Sequence, residues 1–355
     1  MQVYTVVHLV PYDGIGGVET AARTMTDVNV DNIRFSVKYI FPGISKEKHF
    51  KSLYNPFKLI SFALSFRKNK INILIVSLWR SLLIGIIVKI IKPNIKLVTF
   101  LHSEKDFHLL DYCLHRISIM LSCQIWSDSD ATKKSRLSIS NQSKCKIISF
   151  VTKAIYPLPQ KHVSPVFIYW GRIEKYKGIS RAIIIFAEII KKHPNARFIV
   201  VGPDGGSLNQ NIKECISIGI LESVIFKGSA SFDEIISYSK EASFYLQTSL
   251  IEGMALSVIE AMQLGLVPIV TPVGEIIYYC NDGSNAVIVE TDKKVVEDVL
   301  ILLESNDRYQ KMRSQTIATW KDKLLYKDSV LDACRSIINH EFSNSTVFPK
   351  KTTVC

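Results

Sequence analysis

Short apolar, β-branched runs alternate with helix-period patterns along most of this chain. In the first half the predicted strands are 3–10, 34–41, 71–78, 96–102 and 124–127. In the second half they are 167–171, 197–202, 224–228, 244–248, 267–271 and 286–290. Strands separated by amphipathic helices are typical of parallel sheets with crossover helices. The pattern therefore predicts an α/β protein with two Rossmann-like, doubly wound parallel-sheet domains.

The length of the chain and a break in its periodic pattern predict where the domains divide. The chain has 355 residues, more than one hydrophobic core usually serves. The stretch 156–165 holds three prolines and no periodicity, which indicates a connection between domains. The predicted division is a first domain at 1–158, a linker at 159–165, a second domain at 166–318, a helix at 319–342 that packs back on the first domain, and a tail at 343–355.

Charge separates the two halves. Residues 1–160 contain 22 Lys and Arg against 10 Asp and Glu, whereas 161–355 contain 22 of each, so the net charge of +12 belongs to the first half. This bias predicts a membrane surface or an anionic acceptor as partner. The basic, apolar stretch 51–70 fits a crossover helix first and a membrane-surface helix second. No zinc-finger, RNP or helix-turn-helix pattern accompanies the charge, so nucleic acid is not expected.

Two carboxylates frame a predicted strand-to-helix loop in the second half. Glu252 follows the strand 244–248, and Glu260 comes after seven intervening residues, in a helix that Gly265 ends. Backbone N–H groups at the start of that helix could bind an anion. The pair alone would equally suit a solvated helix face.

A cationic cluster follows the strand 167–171. Arg172, Lys175 and Lys177 lie between Gly171 and a helical pattern, at the sheet edge where open α/β proteins bind ligands. An Arg fork and a Lys charge could stabilise a departing nucleoside diphosphate. Lys175 is expected to be solvated.

Six segments in sequence order resemble glycosyltransferase family 4, which are retaining, nucleotide-sugar-dependent enzymes of the GT-B fold. They are 171–178, 201–205, 226–228, 249–260, 265–268 and 281–285. The resemblance implies two domains facing a cleft, with the acceptor on the first and the nucleotide sugar on the second. It places the donor diphosphate on Arg172 and Lys177, the sugar on Glu252 and the ribose on Glu260. The further donor-binding residues that it implies are Gly171, Gly253, Met254, Ala255 and Leu256.

A glycine-rich turn follows the first predicted strand. Gly14, Gly16 and Gly17 partly match a dinucleotide fingerprint, but Glu19 occupies the third glycine position and no acid ends the second strand. A dehydrogenase is therefore disfavoured. By resemblance, Gly16 and Gly17 would contact the donor phosphate or the acceptor; the alternative is a plain tight turn.

His102 ends the strand 96–102. By resemblance it lies beside the donor sugar and the acceptor, where its ring could orient a hydroxyl or accept its proton near neutral pH. The alternative is a hydrogen-bonded structural histidine. Asp128 and Asp130 spell a D-x-D metal signature, but their context predicts a helix cap at Ser129 or Asp130. No metal and no cofactor are expected.

The predicted function is retaining transfer of a hexose-type sugar from a UDP- or GDP-sugar to a hydroxyl of a lipid-linked or other anionic glycan. The expected setting is bacterial O-antigen or capsule synthesis. The chain enters a strand without a secretion signal, and its seven cysteines lack paired spacing, which predicts a cytoplasmic protein, peripheral on the inner membrane face. Two alternatives remain: a catalytically silent sugar-nucleotide-binding scaffold subunit, and a GT-B UDP-sugar epimerase.

Overall fold

The computed structural model describes residues 2–14, 17–41, 56–67, 70–103, 105–160 and 162–345. The chain divides into two compact units. The first unit is Met1–Thr152 with Leu324–Cys355, and the second unit is Lys153–Lys323.

The strands and helices alternate as the sequence predicts. The strands are β1 (Tyr4–Tyr12), β2 (Asn29–Val30), β3 (Ile33–Phe41), β4 (Ile73–Ser77), β5 (Lys96–Leu101), β6 (Gln124–Ser127), β7 (Cys145–Ile147), β8 (Val166–Trp170), β9 (Arg197–Val201), β10 (Val224–Gly228), β11 (Phe244–Gln247), β12 (Val267–Val270) and β13 (Val287–Ile288). The helices are α1 (Gly17–Arg23), α2 (Pro56–Ser65), α3 (Trp79–Ile91), α4 (Leu109–Leu121), α5 (Asp130–Arg136), α6 (Ile139–Gln142), α7 (Ile179–Ile190), α8 (Leu208–Ile218), α9 (Phe232–Ser239), α10 (Leu256–Leu264), α11 (Ile276–Tyr279), α12 (Asp292–Glu304), α13 (Asn306–Trp320) and α14 (Tyr326–Ser345).

Each unit is built on one sheet, whose strands are parallel apart from β2. The first sheet has the order β2-β3-β1-β4-β5-β6-β7, with β2 antiparallel to β3 and the other pairs parallel. The second has the order β10-β9-β8-β11-β12-β13, parallel throughout. This second order is that of a Rossmann fold, in which the winding reverses between the two central strands. The predicted class, two Rossmann-like parallel-sheet domains, is confirmed.

The boundary between the units differs from the predicted linker. The boundary between the two units falls between Thr152 and Lys153, so the stretch 153–165 belongs to the second unit. Its backbone is bonded there: the N–H of Leu158 donates to the Leu264 carbonyl oxygen at 3.0 Å, and that of Ile155 to Gln263 Oε1 at 3.0 Å. Prolines mark an irregular segment in sequence, but hydrogen bonds decide which unit holds it.

The C-terminal helices are separate. The predicted helix 319–342 is interrupted between the end of α13 at Trp320 and the start of α14 at Tyr326, where Asp322 has a φ of 61°. α14 lies in the first unit: the Tyr326 ring is 5.3 Å from that of Phe150, and Lys146 Nζ is 2.6 Å from Asp332 Oδ2.

The basic stretch 51–70 contains α2, which packs as a crossover helix. Ala63 and Phe66 are buried in the core of the first unit, and Phe62 packs against it. Part of the stretch lies outside the described residues. No described helix has both the length and the apolar composition that crossing a bilayer requires.

Candidate active site

Two loops of the second unit meet where the strand order reverses. One follows β8 and the other follows β11, and these strands are hydrogen-bonded neighbours. Gly178 has a φ of 68°, and a Cβ on it would lie 1.9 Å from the carbonyl oxygen of Thr248. The Thr248 hydroxyl donates to the Gly178 carbonyl oxygen at 2.6 Å. Only glycine permits both the conformation and this approach, so the two loops are held in contact.

The contact brings together Lys177 and Glu252. Glu252 Oε1 accepts hydrogen bonds from Lys177 Nζ at 2.7 Å, from Gln247 Nε2 at 2.8 Å and from the Ser249 hydroxyl at 2.7 Å. The Glu252 side chain is 7% exposed and that of Lys177 is 25% exposed. Gln247 in turn accepts from the buried Tyr245 hydroxyl at 2.6 Å. One carboxylate oxygen is thus fixed by three donors that two different loops supply.

Helix α10 begins four residues after Glu252, and the Ser257 hydroxyl in its first turn donates to Gln247 Oε1 at 3.0 Å. Its N-cap is Ala255, which has a φ of 51° and makes no side-chain capping bond within the described part of the chain. A non-glycine residue in this left-handed conformation costs about 1–2 kcal/mol. Such strain clusters at functional sites, and an uncapped helix N-terminus presents N–H groups and a positive dipole end to an anion.

Glu260 lies one turn into α10 and is held from the β8 side. Trp170 Nε1 donates to Glu260 Oε2 at 3.0 Å, and Lys153 Nζ is 3.5 Å from Glu260 Oε1. Burial lowers the pKa of the Lys153 ammonium, and Glu260 opposes that shift. The carboxylate keeps 22% exposure, so a ligand can still reach it.

Arg172 lies in the same loop as Lys177, near a different carboxylate. Its side chain is 44% exposed, with Nη1 3.7 Å from Glu174 Oε2. The Tyr169 hydroxyl donates to the Arg172 carbonyl oxygen at 3.0 Å and fixes the backbone there. Lys175 is exposed, as expected. The structure therefore brings together Lys177, Glu252 and the start of α10, with Arg172 nearby in sequence and available to solvent.

The sequence did not single out the residues that hold the two carboxylates. Gln247 and Ser249 border the loop after β11, and Trp170 ends β8. The available signal was position: each lies at or directly after the carboxyl end of a predicted strand, within five residues of a residue that the sequence did predict to bind the donor.

In the first unit, His102 lies at one end of a buried chain of hydrogen-bonded side chains. Its Nε2 is 2.8 Å from the Ser77 hydroxyl, and Nε2 of His8 is 2.7 Å from the same oxygen. Burial lowers the pKa of His102 well below its usual range and that of His8 to about 3. Both rings are therefore neutral near pH 7. Burial weakens one of the two predicted roles, proton acceptance near neutral pH, and the other role, orientation of a hydroxyl, stays a prediction.

The D-x-D signature forms a helix cap. The Ser129 side chain accepts from the Thr132 N–H at 3.0 Å and caps α5, as the sequence predicts. Among the described residues, one other group could contact an ion: Asp106, Asp111 and His115. Arg136 Nη2 is 2.6 Å from Asp106 Oδ1, so the arginine already neutralises one carboxylate of that group.

The glycine turn is described in part. Gly16 lies outside the described residues, and Gly17 begins α1. Glu19 is buried, while Arg23 pairs with Asp13 at 2.7 Å on the surface. The predicted phosphate or acceptor contact of Gly16 and Gly17 stays a prediction.

Comparison with known proteins identifies the second unit. Residues 153–319 match the family described as glycosyl transferases group 1. This stretch forms a glycosyl transferases group 1 domain. It contains Lys177, Glu252 and Glu260, and it ends four residues before the second unit does.

Curated relatives match parts of the chain. One is the GDP-mannose:cellobiosyl-diphosphopolyprenol alpha-mannosyltransferase of Xanthomonas oryzae pv. oryzae, 25% identical over 127 residues, which are 36% of this chain and 33% of that protein. Another is the alpha-monoglucosyldiacylglycerol synthase of Streptococcus pneumoniae, 30% identical over 95 residues, which are 27% of this chain and 21% of the relative. The matched stretches span a third or less of these relatives.

Solved structures match the group 1 domain and the first unit together. Anabaena HepE in complex with UDP and glucose superimposes with a TM-score of 0.76 at 14% identity, covering 95% of this chain and 100% of that one. Sucrose-phosphate synthase from Thermosynechococcus elongatus gives 0.74 at 15% identity, covering 96% and 100%. At these identities the likeness shows the fold, that of GT-B glycosyltransferases.

Proposed function

We propose that this protein is a retaining glycosyltransferase of the family 4 type, which moves a hexose-type sugar from a UDP- or GDP-sugar to a hydroxyl of a lipid-linked glycan. The observation that carries the proposal is the junction of Lys177 and Glu252 beside the start of α10, at the switch point of a group 1 domain.

The donor would occupy this junction. Lys177, the guanidinium of Arg172 and the N–H groups that begin α10 would neutralise the diphosphate as it leaves. Three donors already fix Glu252 Oε1, so within the described structure Oε2 is the oxygen left to accept hydroxyls of the sugar. Glu260 would bind the ribose, with Trp170 holding its carboxylate in place.

The proposed chemistry retains the anomeric configuration by front-face attack. The bond from the anomeric carbon to the diphosphate oxygen breaks, and the bond to the acceptor oxygen forms on the same face. The acceptor proton passes to the departing phosphate, which gains negative charge in this step. His102, neutral and bonded to Ser77, would orient the acceptor hydroxyl. No metal or cofactor takes part in this scheme.

The acceptor class rests on the relatives and on charge. The names of two relatives specify a diphosphopolyprenol-linked acceptor and a diacylglycerol product, and both are lipids. The first half of the chain carries the whole net charge of +12. A lipid-linked acceptor in O-antigen or capsule synthesis, reached from the cytoplasmic face of the membrane, fits both facts.

The test compares two paired substitutions. Thermal-shift screening against UDP- and GDP-sugars first identifies the donor. Glu252→Gln and Lys177→Met should then each reduce transfer by roughly 100-fold or more, because each removes an interaction with the reacting donor. Glu188→Gln and Lys191→Met disrupt an exposed pair of the same unit, 2.5 Å apart, and should leave transfer unchanged.

Three results would contradict the proposal. Full transfer in either junction variant would show that the junction is not the site. Conversion of one nucleotide sugar to another without acceptor would identify an epimerase. Donor binding with neither hydrolysis of the donor nor transfer to any lipid-linked glycan would identify a silent binding subunit.

A further inference from the structure

Helix α4 buries two polar residues and exposes most of its apolar ones. Its fully buried residues are Asp111, Leu114, Ser118 and Ile119, two of them polar. Its outward residues are almost all apolar or aromatic, and they are Leu109, Leu110, Tyr112, Cys113, Ile117 and Met120, with Arg116. Leu109 is 78% exposed and Met120 is 83% exposed. A crossover helix ordinarily buries its apolar stripe and exposes its polar one.

The inward polar residues fix this orientation. The Ser118 hydroxyl lies 2.5 Å from the Thr99 hydroxyl of β5. Asp111 Oδ2 accepts from the Phe107 N–H at 2.9 Å, and His115 Nδ1 lies 3.0 Å from the Asp111 carbonyl oxygen. Rolling the helix to bury its apolar side would break the Ser118–Thr99 bond to β5, whereas the other two bonds are local to the start of α4 and hold Asp111 in place. The apolar side is therefore held outward.

The charge on this side has one sign. Within α4, which is described throughout, Asp111 is the acidic residue and it is buried, whereas Arg116 is exposed with its guanidinium 5.1 Å from the Tyr112 ring centroid. Phe107, 75% exposed, extends the apolar surface before the helix. An apolar stripe with a cation and no exposed acid is typical of helices that lie in a bilayer interface.

We propose that Phe107, Leu109, Leu110, Arg116, Ile117 and Met120, here called the α4 face, dock the protein on the surface of an anionic lipid bilayer. The 13 residues of α4 are too few to span a membrane, so the helix lies along it. The net charge of the first half complements anionic headgroups. The inference deepens the proposed function by naming the surface that reaches the lipid-bound acceptor.

The experiment measures binding of the full chain to vesicles without any donor, so its result is independent of transfer. Vesicles of phosphatidylcholine with 30% phosphatidylglycerol are compared with pure phosphatidylcholine by flotation. The double variant Leu109→Gln/Met120→Gln should bind the anionic vesicles at least tenfold more weakly. The matched control is Ile139→Gln/Ile216→Gln, at positions 89% and 58% exposed outside α4, and it should bind as the wild type does.

A charge variant completes the test. Arg116→Gln should weaken binding to anionic vesicles and leave the small amount bound to pure phosphatidylcholine unchanged, because it removes a headgroup contact and no inserted side chain. Unchanged circular dichroism and thermal unfolding show that each variant is folded.

Three outcomes would overturn the proposal. The first is a wild type that does not float with anionic vesicles, and the second is an α4 variant that floats as well as the control. The third is a wild-type dimer in sedimentation velocity that the α4 variant converts to monomer, which would assign the face to a second copy of the chain.

Discussion

Acid should destabilise the first unit through its buried histidines. His8 lies in β1, with its ring stacked on that of Phe100 at 6.2 Å and its Nε2 bonded to Ser77. Burial holds the pKa of His8 at about 3, against 6.5 in an unfolded chain. Below pH 6.5 the unfolded chain therefore binds a proton that the folded unit does not.

The size and the sign of the effect follow from that difference. A histidine with a lowered pKa contributes fully to stability above its unfolded pKa, and this contribution is lost as the pH falls from 6.5 toward 3. Between pH 7 and pH 5 the loss at His8 is about 2 kcal/mol of unfolding free energy. His102 shifts in the same direction and adds to the loss.

The assay is a urea titration at pH 7 and at pH 5, with hydrogen exchange read on peptides from β1 so that the first unit is followed alone. His8→Phe keeps an aromatic ring between its neighbours and leaves Ser77 bonded to His102. It should reduce the acid-induced loss by about 2 kcal/mol relative to the wild type. His162→Phe, at an exposed position of the second unit, is the control. An equal acid loss in wild type and His8→Phe would refute the reasoning.

Two further substitutions test the second unit. Gly178→Ala should lower the free energy of unfolding by more than 2 kcal/mol and suppress transfer, since its Cβ would meet a backbone carbonyl at 1.9 Å. The control is Gly219→Ala, at a φ of 79° with open space around it, which should lower the free energy of urea unfolding by only about 1–2 kcal/mol. Equal costs would show that the loop contact is unimportant. Trp170→Phe should raise the KM for donor with kcat nearly unchanged, because Glu260 loses its positioning hydrogen bond, whereas Trp320→Phe, whose N–H meets a sulfur, should not. A kcat loss with constant KM in Trp170→Phe would contradict this role.

The fold could be predicted because its signals are local. A buried parallel strand is an apolar run, and a crossover helix has its own period, so the predicted 124–127 and 224–228 coincide with β6 and β10. β2 and β7 were missed because two or three residues carry no period. The unit boundary was displaced because it depends on hydrogen bonds between residues distant in sequence.

The site was predictable only in its charges. Lys177 and Glu252 stand out because each follows a strand, but their mutual contact spans 75 residues. Gln247 and Trp170 read as strand ends, and nothing local shows which carboxylate each will meet. The exposed apolar side of α4 was equally hidden, since a period shows that a helix has two faces and not which face points inward.

Register links the sheet to the chemistry. Phe244 lies opposite both Phe167 of β8 and Val267 of β12, so β8 and β11 end level, at Trp170 and Gln247. Side chains alternate along a strand, so a slip of one residue would turn Gln247 away from Glu252 and withdraw one of its three donors. The same slip would separate Thr248 from Gly178, the residue directly before α7. The close approach at that glycine therefore fixes the register as well as the loop, and the carboxylate keeps its position only while that register holds.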